Sequence, residues 1–215
     1  GLTSVIYKMG EFVVASEREG SALAITLQRQ SLNVKNVISA DAFGTLANGN
    51  PGELIMRVPG VVGDSVGSDI RFVIIRGMSP QLNTVQVDGN RMANAGSAGA
   101  NRDFQFQTVV ADSIERLEVT KSPTPDMDAD SIGGAVNMVT KNAFDRAPGR
   151  RISYSGGIIW RPFEARDEKP GRRGYSFSYS EVFGEKKNIG VSFNYGMRET
   201  GSIQDTVTQT WQQVD

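Results

Sequence analysis

Residues 112–142 read DSIERLEVTKSPTPDMDADSIGGAVNMVTKN. Ile114, Leu117 and Val119 precede an acidic connection bearing Pro and Gly, and Val136, Met138 and Val139 follow it. Apolar residues alternating on both sides of such a connection predict two strands joined by a turn region. Gly133-Gly134 stands where the second strand begins, a place where glycine permits positive φ or a close backbone approach that a side chain would block. On spacing alone this is a sheet hairpin.

Upstream, Asn50-Pro51-Gly52-Glu53 reads as a helix start: Asn caps, Pro takes the first helical position and Glu53 can reach back to the cap amide. That helix carries Leu54, Ile55 and Val58 and stops near Pro59-Gly60. Ile70–Gly77 and Thr84–Gly89 read as two strands with a polar loop between them. Nearer the start, Ser21 reads as the cap of a helix through about Ser31 with Leu23, Ile25, Leu27 and Leu32 as its apolar residues, and Val34, Val37 and Ile38 as a short strand or extended turn. Residues 11–15, EFVVA, form an apolar run suited to an edge strand.

After Ala147-Pro148-Gly149 the pattern changes. Ile152, Tyr154, Ile158 and Trp160 share one face of a run from Arg151 to Arg161. Tyr175, Phe177, Tyr179 and Phe183 then alternate with Ser176, Ser178, Ser180 and Val182. Ile189, Val191, Phe193, Tyr195 and Met197 alternate with Gly190, Ser192, Asn194, Gly196 and Arg198, and Val191 is expected near mid-depth. Segments of about ten residues with one greasy face and one small, polar face have the length of tilted strands that cross a bilayer. A charged loop from Arg161 to Gly174 and a tight turn at Gly184–Asn188 match the long external loops and short periplasmic turns of outer-membrane barrels, so the first strand is expected to run outward. An antiparallel sheet with one face buried in protein fits the same alternation.

Composition narrows the chemistry. In 215 residues there is no Cys and no His, so disulfides, thiolate nucleophiles, histidine bases and histidine metal sites are excluded within this chain. Apolar residues make up 39% and no run approaches the ~18 consecutive apolar residues of a membrane helix. Net charge is −1, with 13 basic and 16 acidic residues in 1–148 and 10 and 8 in 149–215, and no basic stripe points to nucleic acid. No constellation of base, nucleophile and oxyanion site can be named, so an enzyme is not expected. With Gly1 first and no apolar leader following it, the expectation is a mature fragment.

VPGV, IRG at Ile75–Gly77, VDG at Val87–Gly89 and the block IERLEV, KSP, IGGAVNMVTK occur in one order across residues 51–142. That ordered set resembles the plug domain of TonB-dependent outer-membrane receptors. Ser122 departs from the Gly of many members, as does the acidic insert Asp126-Met127-Asp128-Ala129-Asp130; KSPTPDMD resembles the carbohydrate-uptake subgroup. The resemblance implies an α+β plug domain over 1–148, a small mixed sheet with short helices, followed over 149–215 by the first three antiparallel strands of a transmembrane β-barrel. Three strands cannot close a barrel, the smallest having about eight, and the family's plugged barrels have about 22. The chain is therefore expected to be an N-terminal piece of something longer, with the outer membrane of a Gram-negative bacterium as its location.

The resemblance also implies roles. Arg76 and Arg116 align with plug arginines that face barrel glutamates and seat the plug, a task suited to an always-charged, bidentate guanidinium. Gly77, Gly89, Gly133 and Gly134 are structural glycines of the motifs. Loops at Gly63–Asp69, Met78–Asn83 and Asn90–Asp103 rise toward ligand in the family, which makes Arg91, Asn94, Asn101 and Arg102 candidate contacts. Residues 11–15 are either the box that meets the energising protein by strand addition or the first plug strand, which their spacing favours. Asp126, Asp128 and Asp130 have the spacing of a calcium loop's opening but Ser131 and Asn137 break the pattern, so no metal and no cofactor is expected. The implied function is active uptake of a large nutrient, an oligosaccharide or iron-siderophore, driven by the TonB-ExbB-ExbD complex. The alternative is a soluble α+β ligand-binding or protein-interaction module.

Overall fold

A computed structural model describes residues 19–39, 49–66, 69–92, 102–145, 149–160, 171–184 and 188–199. The first helix, α1, spans Glu19–Gln30, so Ser21 lies within its first turn and is not its cap. Of its apolar residues Ala24 is buried, whereas Leu23 and Ile25 are exposed. Strand β1 follows at Lys35–Ser39, so of the two readings of Val34, Val37 and Ile38, strand or extended turn, the strand is found, with Val34 just before it. Helix α2 is short, Pro51–Ile55, and starts as its sequence predicts: the Asn50 side chain accepts from the Gly52 amide at 2.8 Å, with Pro51 at the first helical position.

Strands β2 (Val61–Val66) and β3 (Asp69–Ile75) pair antiparallel as a sheet of their own, with a register shift at Asp64/Ser65. The loop expected over Gly63–Asp69 is thus mostly strand. Gly63 and the polar Asp64-Ser65 broke the alternation, yet they occupy the irregular stretch of a ladder that Val61 and Val62 begin. Carbonyls of β3 are satisfied from outside the ladder: Asn50 Nδ2 donates to Ile70 O at 2.8 Å and Asn83 Nδ2 to Val73 O at 2.9 Å. Two buried amides thereby join this hairpin to the rest of the fold.

Strands β4 (Asn83–Val87), β5 (Asn90–Arg91), β6 (Ile114–Thr120) and β7 (Gly134–Thr140) complete a five-stranded mixed sheet in the order β1-β6-β7-β4-β5. The quoted stretch is its centre: β6 and β7 pair antiparallel, and β7 takes β4 in parallel on its other edge. Alternate residues of this hairpin, Leu117, Val119, Val136 and Met138, are buried to 1% or less and pack with Leu54, Ile55, Ile75 and Phe106 in one core. Burying one such side chain contributes about 1.5–3 kcal/mol.

The last strands, β8 (Arg151–Trp160), β9 (Gly171–Phe183) and β10 (Ile189–Arg198), form a separate antiparallel sheet. Residues 171–174, expected in the loop, extend β9 and pair with Trp160–Gly157. Register sets Ile152 opposite Tyr179 and Tyr179 opposite Phe193, so the aromatic residues of all three strands share one face. Among the described residues no helix is long and apolar enough to cross a membrane, which says nothing of crossing by strands.

Candidate functional site

Two successive residues with positive φ occur at Arg76-Gly77 (55° and 73°) and again at Asp88-Gly89 (50° and 78°). Such a pair makes a tight reversal that glycine tolerates and a residue with a Cβ adopts only at a cost. At the second turn Asp88 accepts from the Thr140 amide at 2.8 Å and its hydroxyl at 2.7 Å, tying the β4–β5 hairpin to the end of β7. At the first, the Arg76 side chain repays its backbone: Nη2 donates to Ile132 O at 3.0 Å, and Nε and Nη2 to Gly133 O at 3.3 and 3.2 Å.

Gly133 and Gly134 are needed for space. A Cβ on Gly134, at φ +148°, would lie 2.8 Å from Thr120 O, and one on Gly133 would lie 2.2 Å from Asn83 Oδ1. The motif glycines and Arg76 therefore form one knot that clamps the start of β7 beside the turn after β3.

Arg116 Nε donates to Glu118 Oε1 at 3.0 Å, and Lys35 of β1 reaches the other oxygen at 3.1 Å. Burial pushes the Glu118 carboxyl up, and hydrogen bonds and charge from Arg116 and Lys35 more than offset this, leaving it below the ordinary glutamate value. Both expected seating arginines thus have partners within the plug-like unit.

Of the candidate ligand contacts, Arg91 and Arg102 are brought together, whereas Asn94 and Asn101 lie outside the described residues, as does the run at 11–15. Both arginines converge on Asp130 of the acidic insert: Arg91 pairs with Oδ2 directly and Arg102 Nη1 stands 3.6 Å from the same atom. Thr84 Oγ1 donates to Asp130 Oδ1 at 3.3 Å and itself accepts from buried Ser131 at 2.9 Å. Asp130 is pushed up by burial and pulled further down, chiefly by the Arg91 hydrogen bond and charge. Asp130 is an arginine partner here, and no group of metal-ligating side chains forms among the described residues.

One contact escaped sequence reasoning. Arg198, at the end of β10 on its polar face, points to the plug-like unit, where Nη1 lies 3.3 Å from Asp69 Oδ1 and Nη2 donates to Gln107 O at 3.0 Å. Side chains of the pair are only 8% and 12% exposed. The available signal was an arginine at an inward position of an otherwise small and polar strand face. Nothing local pointed to Asp69.

Farther along the same strands the polar face of β9 and β10 looks onto the segment Thr108–Ser113 and Lys141 across a gap of about 300 Å³. Ser176 and Ser178 line it, hydrogen-bonded across the sheet to Ser155 and Ser153 respectively. On the opposite face Tyr154, Trp160, Phe193 and Tyr195 are exposed, with the Phe193 ring tilted against Phe177 and the Tyr195 ring against Tyr175.

The family model described as TonB-dependent Receptor Plug Domain matches residues 28–135. No curated protein sequence matches the chain. Among solved structures, a chain of the FpvAI-pyocin S2 complex is 18% identical with a TM-score of 0.57, over 80% of this chain and 21% of that one. The pyoverdine outer membrane receptor FpvA from Pseudomonas aeruginosa PAO1, bound to pyoverdine, is 18% identical with a TM-score of 0.53, over 76% of this chain and 21% of its own. The alcaligin outer membrane receptor FauA from Bordetella pertussis is 16% identical with a TM-score of 0.52, over 78% of this chain and 26% of its own. At such identities the likeness is one of fold, and the chain spans about a fifth to a quarter of those proteins' lengths.

Proposed function

The chain belongs to the TonB-dependent receptor plug domain family, and from that premise we propose that it is the plug and first barrel strands of an outer-membrane active transporter. In this reading residues 1–148 are the plug and 149–215 begin the barrel. The plug closes the pore, meets a large nutrient at its outer loops and is moved by the TonB-ExbB-ExbD complex from the periplasm. The protein works by binding and conformational change, not by covalent chemistry.

The observation that carries the reading is the sidedness of the three-stranded sheet. A water-soluble sheet hides its aromatic face against its own core and shows its polar face to solvent. Here the serine face is turned toward the plug-like unit and the aromatic face is turned away, the arrangement that lipid outside and a filled lumen inside require. The Arg198–Asp69 pair adds a buried tie between wall and plug.

Folding the intact protein from urea into lipid vesicles tests this. A barrel gains protease resistance and runs faster on unheated than on heated gels. A protein that remains protease-sensitive in vesicles, yet folds cooperatively in plain buffer, would instead be the soluble interaction module.

A further inference from the structure

Arg91 and Arg102 stand on separate segments, yet both guanidinium groups lie at one oxygen of one carboxylate, Asp130 Oδ2. Two cations gathered so closely repel each other, and the carboxylate they share carries a single negative charge. The carboxylate is itself fixed from below: its other oxygen accepts from Thr84 in β4, whose hydroxyl accepts from Ser131, a residue 1% exposed. Arg91 follows directly from the Asp88-Gly89 turn, which Thr140 and Asn137 hold. The outer sides of the arginines face solvent, with side chains 50% and 71% exposed.

We propose that Arg91 and Arg102, held side by side on Asp130, form a subsite for an oxyanion, a carboxylate or phosphate group carried by the ligand. Two guanidinium groups sharing the single negative charge of Asp130 supply the attraction. Planar guanidinium groups supply paired N–H donors to two oxygens of such a group, and their pre-set positions spare the cost of ordering two long side chains on binding. This deepens the proposed function and rests on it, since it makes this corner of the plug part of the ligand-facing surface. It narrows the nutrient to one bearing acid groups, whether an acidic oligosaccharide or an iron chelate with carboxylates.

Arginine modification by phenylglyoxal, read residue by residue by mass spectrometry on the intact receptor in neutral detergent, tests the subsite without the nutrient in hand. Millimolar citrate and, separately, inorganic phosphate are the probes, against sodium chloride at matched ionic strength. Each probe that fits is expected to slow modification of Arg91 and Arg102 several-fold while leaving exposed Arg29 of α1 unchanged. Protection by citrate alone assigns a carboxylate, and by phosphate alone a phosphate. In Arg91→Gln the protection of Arg102 should fall to the level of Arg29, and in Arg102→Gln that of Arg91 should fall likewise. No protection by either probe, equal protection at Arg29, or unchanged protection in both variants would overturn the subsite. Those results leave vesicle insertion untouched, whereas a receptor that fails to insert overturns the transporter reading whatever its arginines do.

Discussion

At the residue scale, Gly134 carries the strictest demand. Its φ of +148° lies where L side chains rarely go, and a Cβ there would press on Thr120 O of the paired strand. Gly134→Ala is expected to destabilise the plug by about 1–3 kcal/mol through strain alone, more if the β6–β7 ladder has to part. Urea denaturation followed by circular dichroism would read it, and an unchanged midpoint would show that the backbone relaxes at no cost. Glu118 adds a pH dependence whose sign is fixed. Its folded pKa lies below the unfolded one, so the Lys35–Glu118–Arg116 cluster stabilises fully above the ordinary glutamate value and loses that contribution as pH falls through the lower, folded value. Glu118→Gln should lower the midpoint at pH 7 and bring it closer to wild type below about pH 4, since glutamates ordinarily titrate near 4.3. A deficit that persists undiminished in acid would mean that packing, not charge, is lost.

At the element scale, alternation and caps were readable while pairing was not. Asn50-Pro51 marks its helix because capping is local, and β6, β7, β9 and β10 announce themselves because apolar residues recur at every second position along most of each strand. The parallel partnership of β7 with β4 left no local trace, nor did the mutual dependence of β3 and two distant asparagine amides. Register also moves the best probe of whether the aromatic face meets lipid. Val191, expected near mid-depth, lies opposite Glu181 and two positions from the end of its strand, where an introduced arginine would find a carboxylate. Phe193, flanked by Tyr179 and next to it Ile152, is nearer the middle. Phe193→Arg in the intact protein should cost roughly 2–4 kcal/mol of folding into bilayers if that face meets lipid at mid-depth. Ser192→Arg, on the face turned from the aromatic side and beside a space of about 370 Å³ that Lys141, Arg150 and Ser180 also line, meets like charge but no lipid and should be milder. Equal penalties, or a larger one at Ser192, would remove the barrel assignment.

At the scale of the whole molecule the question is what holds the plug to the wall. Family resemblance nominates Arg76 and Arg116, yet their visible bonds go to Gly133, Ile132 and Glu118. Arg198 and Asp69 join the three-stranded sheet to the β2–β3 hairpin, 129 residues apart, with Gln107 taking a second donor of the same guanidinium. Such a contact cannot be read from a chain, because neither residue differs locally from many other charges and only the docked sheets bring them together. Removing one partner of a buried pair typically costs about 3–5 kcal/mol, chiefly because the other is left uncompensated. Asp69→Ala and Arg198→Ala are therefore each expected to loosen the plug and raise the conductance of the intact receptor in planar bilayers. The double variant strands neither charge, so it should conduct less than the sum of the two single effects, the signature of direct coupling. Additive increases would mean that each residue acts through separate neighbours. Wild-type conductance in all three variants would mean that the plug is seated elsewhere, and would return Arg76 and Arg116 to the centre of that role.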